Sequence, residues 1–421
     1  LHKILSQPAG VIFAEKGCII NEMSIARSTP VGKSIREIPA IQVEIITEES
    51  EFLALEYIWN SLLQRSGADS IFLTFEWLST WWRHFGQGNR LFVMVIKNQG
   101  LIVGLIPLMI TKRQGFRQLT MIGGITSDFK DFIIADYEDR KSVIEAILNA
   151  IITKKSWDFF QLKGLREDSP NFNPLRAVLP RFQNYRPRWY KYDDSLYIPI
   201  DRSWESYLAT LARDFRKDFQ RGIRLLNKEK GDISYYHPKD QGEIDLYMDE
   251  FIKQHIVHWK EVKREYSIFE HPTTVSFYKD LARQLFAKKW FNLHALLVNG
   301  EAVAIGFGYE FANKYSPHMG TFKHQSLKKY FIGWLLRFYA FESAFARGLR
   351  EIDLLRGHES YKLDFNPKER KLYSVALFQK SFRGYASEKW FFEIGPRVEM
   401  LIQKSMPFLD RWLGKIRSQK G

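Results

Sequence analysis

Ile41, Val43 and Ile45 alternate with polar residues, the period of a strand buried on one face. From Glu49 to about Gln64 the spacing turns helical, and a second helical stretch covers Phe75–Phe85. Trp77, Trp81, Trp82 and Phe85 fall on that second stretch, an aromatic stripe that reads as core. Leu91–Lys97, the turn Asn98-Gln99-Gly100 and Leu101–Ile110 read as a β-hairpin. Asp131–Ala135 reads as a strand, Ser142–Thr153 as a helix and Trp157–Gly164 as a buried strand ending at glycine.

The same order then returns. Asn292–Val298, the turn Asn299-Gly300 and Glu301–Tyr309 form a second hairpin, and Asn-Gly is a strong signal for one. Tyr315–Thr321 follows as a strand, Leu327–Arg347 as a long helix closed by Gly348, and Glu351–Gly357 as a strand ending at glycine. The recurrence points to a duplicated unit. It predicts an α/β (α+β) chain with two domains, 41–195 and 196–385, each a mixed twisted sheet flanked by helices. They are expected to meet around Tyr197–Ile200, before a helix that Ser203 caps. Residues 1–40 lack any period and are expected to form a flexible arm. The tail 386–421 is expected to be an amphipathic helix, with Met400, Leu401, Met406, Leu409, Trp412 and Leu413 set among basic residues. Packing on the body is favoured for it over lying on a membrane surface.

Composition narrows the picture. With 421 residues, 45% hydrophobic and 26% charged, the chain suits two globular cores of roughly 150–200 residues each. Cys18 is the one cysteine, so no intrachain disulfide forms and a reducing compartment is expected. No apolar run approaches the ~20 residues of a membrane helix and no signal peptide is evident, so a cytoplasmic protein is expected. The net charge of +14 invites nucleic acid, an anionic membrane face or a polyanionic ligand. The basic residues are spread along the chain without a nucleic-acid signature, so DNA is not an expected partner.

Metal motifs are missing from the sequence. His255 and His258 are three apart without a third ligand, and no metal is expected. No nucleophile elbow or phosphate loop occurs, and Gly306-Phe307-Gly308 lies inside a strand, where small residues admit a ligand or backbone close to the sheet. The basic segment Leu211–Lys230, with Arg216 in it, is either a solvated helix face or an anion clamp. Tyr361, Lys362 and Asp364 follow the strand that ends at Gly357, where ligand crevices of open sheets form.

Ile352–Lys362 resembles the "DFLRG-x-E-x-YK" signature of tandem acetyltransferase-like proteins, which include a cellulose-biosynthesis CelD-like group and, more distantly, the FemAB aminoacyltransferases. Phe75–Trp82, Arg213–Lys230 and His255–Trp259 are similar to further elements of that group, and the likeness runs from about residue 41 to 385. The resemblance implies two GNAT-like domains, acyl-CoA (acetyl-CoA) as donor, and an amine or hydroxyl acceptor on a sugar or envelope-polysaccharide precursor. For a direct acyl transfer the candidate general bases are Asp353, His318 and Glu310, none favoured by strand position, with Tyr361 as the acid that protonates the thiolate. Arg356, Lys362, Arg216, His255 and Trp259 would bind substrate, and Lys328, Lys329 and Gly333 the cofactor. One departure matters: the Gly-rich turn that holds a pyrophosphate is reduced to Ser326–Trp334, with Gly333 as its one glycine. That leaves aminoacyl-tRNA as an alternative donor and a non-catalytic scaffold as a third reading. Peripheral association with the inner membrane face fits any of the three.

Overall fold

The structure, a computed structural model, describes residues 41–136, 139–263, 266–323 and 325–395, with backbone alone at 262, 263, 325, 326 and 328. Cys18, the expected arm at 1–40 and the amphipathic stretch from 396 onward lie outside the described residues.

Among the described residues thirteen strands form one sheet. In chain order they are β1 (Gln42–Ile46), β2 (Arg90–Asn98), β3 (Leu101–Arg113), β4 (Phe116–Met121), β5 (Ile133–Ile134), β6 (Phe159–Arg166) and β7 (Arg188–Pro199). Then come β8 (Ile233–Tyr236), β9 (Phe291–Val298), β10 (Glu301–Phe311), β11 (Lys314–Phe322), β12 (Glu351–Arg356) and β13 (Lys368–Phe378). Their spatial order is β1-β2-β3-β4-β6-β13-β7-β12-β11-β10-β9-β8, with β5 against β3. The architecture is mixed α/β. Two pairs are parallel, β4–β6 and β11–β12, and each is joined through a helix, Arg140–Thr153 and Ile332–Ala346 respectively. A parallel pair needs such a crossover.

The centre of the sheet carries what the hydrophobic pattern did not reveal. β13, last in the chain, pairs with β6, while β7 pairs with both β12 and β13. Each half's final strand therefore lies beside the other half's. Tyr197–Pro199, expected at the meeting point of two domains, belongs to an interior strand instead. The expected helix over Leu327–Arg347 is divided. A 3-10 turn covers Gln325–Tyr330, Phe331 takes a left-handed φ of 57°, and the α-helix starts at Ile332.

Trp77 is fully buried, meets Tyr309 edge-on at 5.3 Å and donates to Ser127 Oγ at 2.9 Å. The aromatic helix of the first half is thus packed on a strand of the second. A network of charges reinforces that contact. Asp69 accepts from Arg166 at 2.7 Å, Lys314 at 2.9 Å and Arg350 at 2.5 Å, and Arg370 bridges Asp168 at 2.8 Å and Glu351 at 3.0 Å. Burial opposes ionisation of Asp69, yet the Arg166 and Lys314 charges outweigh it and hold the carboxyl well below the usual range.

Asp131 shows the opposite balance. Burial pushes it up to about 6, against hydrogen bonds from Ser169, Asn171 and the Phe132 N–H. Its folded pKa exceeds the unfolded value, so this carboxylate costs stability as pH rises from about 4 through 6. Asp131→Asn is therefore expected to match the native chain near pH ~4 and to exceed it by up to about 2 kcal/mol near pH ~7, read by urea denaturation at both values.

Candidate functional site

β11 and β12 are in register only at Lys314↔Glu351 and Tyr315↔Ile352, then part. A cavity of about 570 Å3 occupies the wedge, lined by β11, the start of the helix Ile332–Ala346 and Tyr361-Lys362. Gly306 makes room there, since a Cβ on it would meet His294 Nε2 at 3.0 Å, while a Cβ on Gly308, off the cavity, would meet the Ser316 carbonyl of the neighbouring strand at 2.4 Å. The ladder shifts register at Phe307/Gly308, beside Pro317 and next to His318.

Phe331, Ile332, Gly333 and Trp334 line the cavity where the helix begins. Its first amides have no intrahelical acceptor, and the helix dipole is positive there. Arg337, one turn on, donates to the Gly333 carbonyl at 3.1 Å and stands 4.9 Å above the Tyr361 ring. The mouth of the wedge is therefore electropositive. The helix Arg213–Lys230 backs it closely, because a Cβ on Gly222 would lie 2.9 Å from Phe331 and 3.0 Å from the Tyr330 carbonyl.

His318 is half-buried at the inner wall. Its Nε2 shares a 3.2 Å hydrogen bond with the Tyr278 hydroxyl, and Nδ1 has no hydrogen-bond partner among the described residues. Burial pulls its pKa down to about 3, so the ring is neutral at working pH. Burial, with His237 and Arg337 adding to it, pulls His294 down to about 3 as well. The buried Tyr315 hydroxyl, also on the cavity wall, has no hydrogen-bond partner among the described residues.

The residues singled out in the sequence fall into three places. His318, Gly333, Tyr361 and Lys362 line the cavity. Lys362 is buried there, its Nζ bonded to the Arg356 carbonyl at 2.7 Å and to Glu359 at 2.8 Å. Asp353 is outside it. Its carboxylate accepts from Leu355 N at 2.9 Å, holding that residue at a φ of 63°, and lies 3.7 Å from Arg370. Arg356, beyond that turn, reaches Tyr192 and Asp128 of the first half.

His255 and Trp259 form a stacked pair with ring centres 5.6 Å apart, and His255 Nδ1 bonds Ser267 Oγ at 2.8 Å. Burial, with His258 adding to it, lowers His255 to about 4; of the three, His258 is the one on the cavity lining. Arg216 is half-buried, its Nε without a hydrogen-bond partner among the described residues, and lies off the cavity. Lys329 is exposed and pairs with Glu229 at 2.9 Å, Glu310 pairs with Arg347 at 2.9 Å, and the Lys328 side chain lies outside the described residues. His294, Arg337 and Tyr278 went unread in the sequence. Arg337's place four residues after Gly333, on the same helix face, was the available signal. Among the described residues no group of three or more His, Cys, Asp or Glu is placed to hold a metal, and no helix is long and apolar enough to cross a membrane.

Residues 213–363 match the family described as Acetyltransferase (GNAT) domain. The chain thus carries a GNAT acetyltransferase domain, and the wedge cavity lies almost wholly within it. The fold is shared with the crystal structure of FemX, at 10% identity and a TM-score of 0.57, over 83% of this chain and 99% of that one. It is shared too with a conserved protein of unknown function from Bacteroides thetaiotaomicron VPI-5482, at 15% identity and a TM-score of 0.51, over 80% of this chain and all of that one. No curated protein matches the sequence.

Proposed function

We propose that the chain is an acyltransferase that takes an acyl group from acyl-CoA, the usual donor of GNAT domains. The acceptor is an amine or hydroxyl of a sugar or envelope-polysaccharide precursor. In this reading 41–195 and 196–385 are the two copies of a duplicated domain, and the second holds the donor. The observation that carries it is the wedge between β11 and β12, which ends at the start of a 15-residue helix. A narrow slot beside a strand suits a pantetheine arm, and the helix N-terminus with Arg337 suits its pyrophosphate.

The chemistry follows from the lining. With Nε2–H donated to the Tyr278 oxygen, His318 Nδ1 keeps a lone pair for the acceptor. The acceptor nitrogen or oxygen attacks the thioester carbonyl, its proton passes to Nδ1, and the C–S bond breaks as the carbonyl re-forms. Tyr361 gives the departing thiolate a proton. A histidine whose pKa is held this far below working pH is a weak base, so the proton passes to it after attack, when the nitrogen of the tetrahedral adduct is far more acidic than the free amine.

Aminoacyl-tRNA is the alternative donor. The 3-10 turn Gln325–Tyr330 favours it, since it stands where a Gly-rich pyrophosphate turn would be. Thermal shift separates the two. Acetyl-CoA is expected to raise the melting temperature of the native chain, and Gly333→Glu to abolish that rise without lowering the melting temperature of the free protein. A carboxylate in the first turn repels a pyrophosphate yet favours the helix. A shift with charged tRNA and none with acetyl-CoA would replace the donor. No shift with either would leave the scaffold reading.

A further inference from the structure

The closed end of the wedge is polar where its surroundings are not. β11 and β12 are last in register at Tyr315↔Ile352, so Tyr315 stands at the vertex of the cavity. It is 1% exposed, and its hydroxyl has no hydrogen-bond partner among the described residues. His294 of β9 is 4% exposed, its ring centre is 6.4 Å from that of Tyr315, and its Nδ1 has no hydrogen-bond partner among those residues either. The other ring nitrogen, Nε2, faces the gap over Gly306, 3.0 Å from where a Cβ on that glycine would stand. Strand register puts the two side chains on one face of the sheet. His294 lies opposite Gly306 and Tyr315 opposite Glu310, and Gly306 and Glu310 are four apart on β10.

Leu336, Ala340, Phe341 and Leu354 complete this end with apolar surface. Leu336 and Ala340 are one and two turns into the helix, the second ~12 Å from its start at Ile332. Tyr235 closes the side towards the sheet edge, its ring centre 5.7 Å from His294 and 5.0 Å from Tyr339, on which it stacks. Buried polar atoms left unpaired in such surroundings are costly, and a ligand atom that bonds them recovers the cost. Both groups are neutral, since burial above all holds the imidazole unprotonated and keeps the phenol protonated. A neutral imidazole and a phenol each donate and accept. The atom that suits them is therefore an uncharged oxygen, a hydroxyl or a ketone, rather than a carboxylate or an ammonium.

We propose that the acyl group seated at this end carries an uncharged oxygen substituent, so that the preferred donor is a short hydroxyacyl or oxoacyl thioester rather than acetyl-CoA. This rests on the donor reading above: with the pyrophosphate at Ile332, the acyl group is the part of the donor that reaches farthest along the helix, towards Leu336 and Ala340. The substituent bonds Tyr315 and His294, and Leu336, Phe341 and Leu354 pack on the carbons of the chain. An apolar acyl chain of the same length displaces water from the two groups and returns no bond.

Calorimetric titration of the full chain without acceptor tests it with two matched pairs of thioesters: 2-hydroxypropanoyl-CoA against propanoyl-CoA, and 3-hydroxybutanoyl-CoA against butanoyl-CoA. At least one hydroxy ester is expected to bind about tenfold tighter than its partner, and the pair that shows it gives the position of the oxygen. Tyr315→Phe removes a hydroxyl and keeps the ring, and is expected to narrow that ratio to within about threefold. His294→Leu is expected to narrow it as well. Hydroxy and plain esters that bind alike in the native chain overturn the inference and leave the donor reading standing, and so does a ratio that survives both substitutions. If none of the four esters binds, the donor reading falls and this inference with it.

Discussion

His318→Gln is expected to lower kcat with acyl-CoA and acceptor by about 10^2- to 10^4-fold, the range for a positioned general base, with little change in KM for the donor. Glutamine keeps the polarity and approximate size of imidazole but has no basic nitrogen. The ring is wedged among Tyr309, Phe307 and Trp77, with centres 5.1 Å, 5.7 Å and 6.3 Å away, so a smaller replacement would confound chemistry with packing. Because burial already holds the histidine neutral down to about pH 3, its titration adds no acid limb to the rate profile between about pH 5 and 8. Steady-state kinetics of both proteins across that range provides the check. A His318→Gln enzyme that keeps a third of native kcat puts the base elsewhere, and a pH profile with a limb near pH ~6.5 contradicts the neutral ring.

Asp69→Asn is expected to be the most destabilising single polar change, at about 3–5 kcal/mol, because it leaves buried cations without their counter-charge. Arg166 and Lys314 are 11% and 4% exposed, so water replaces little of the lost carboxylate. The sign with pH follows from the depressed pKa. The native carboxylate contributes fully above about pH 4, its unfolded value, and the contribution fades as acid protonates it. The gap between Asp69→Asn and the native chain should therefore be widest near neutrality and shrink towards about pH 2. Denaturation of both proteins across that range measures it, and a gap under 1 kcal/mol near neutrality would show the network to be dispensable, as exposed ion pairs often are.

Much of the fold was legible because local pattern and tertiary role agreed. The hairpins over Leu91–Ile110 and Asn292–Tyr309 declare themselves by a turn between two apolar runs. β7 and β13 did not. Arg188, Lys191, Asp193 and Asp194 make β7 read as a loop, and its partners in β12 and β13 come more than 150 residues later in the chain. No window of sequence contains both sides of such a pair. The site was half legible for a related reason. His318, Gly333, Tyr361 and Lys362 sit where strand ends and a helix start suggested a crevice. Asp353 and Arg356 came from the resemblance of Ile352–Lys362 to a signature, and the left-handed Leu355 between them turns the end of β12, with one side chain near Arg370 and the other at Tyr192. His294 looks like any residue of a strand, and only Gly306 opposite it marks the space it fills.

Placing β13 between β6 and β7 also sets a timetable for synthesis. The chain reaches Pro199 with two strands whose shared neighbour has yet to be translated, and it must make almost the whole second half first. During that interval both edges stand open to any other extended segment, including those of sister chains on the same messenger. Residues 213–363 stop short of β13 and leave out β7. A gene fragment cut to those limits would yield a piece with the donor slot's walls and no keystone to close them.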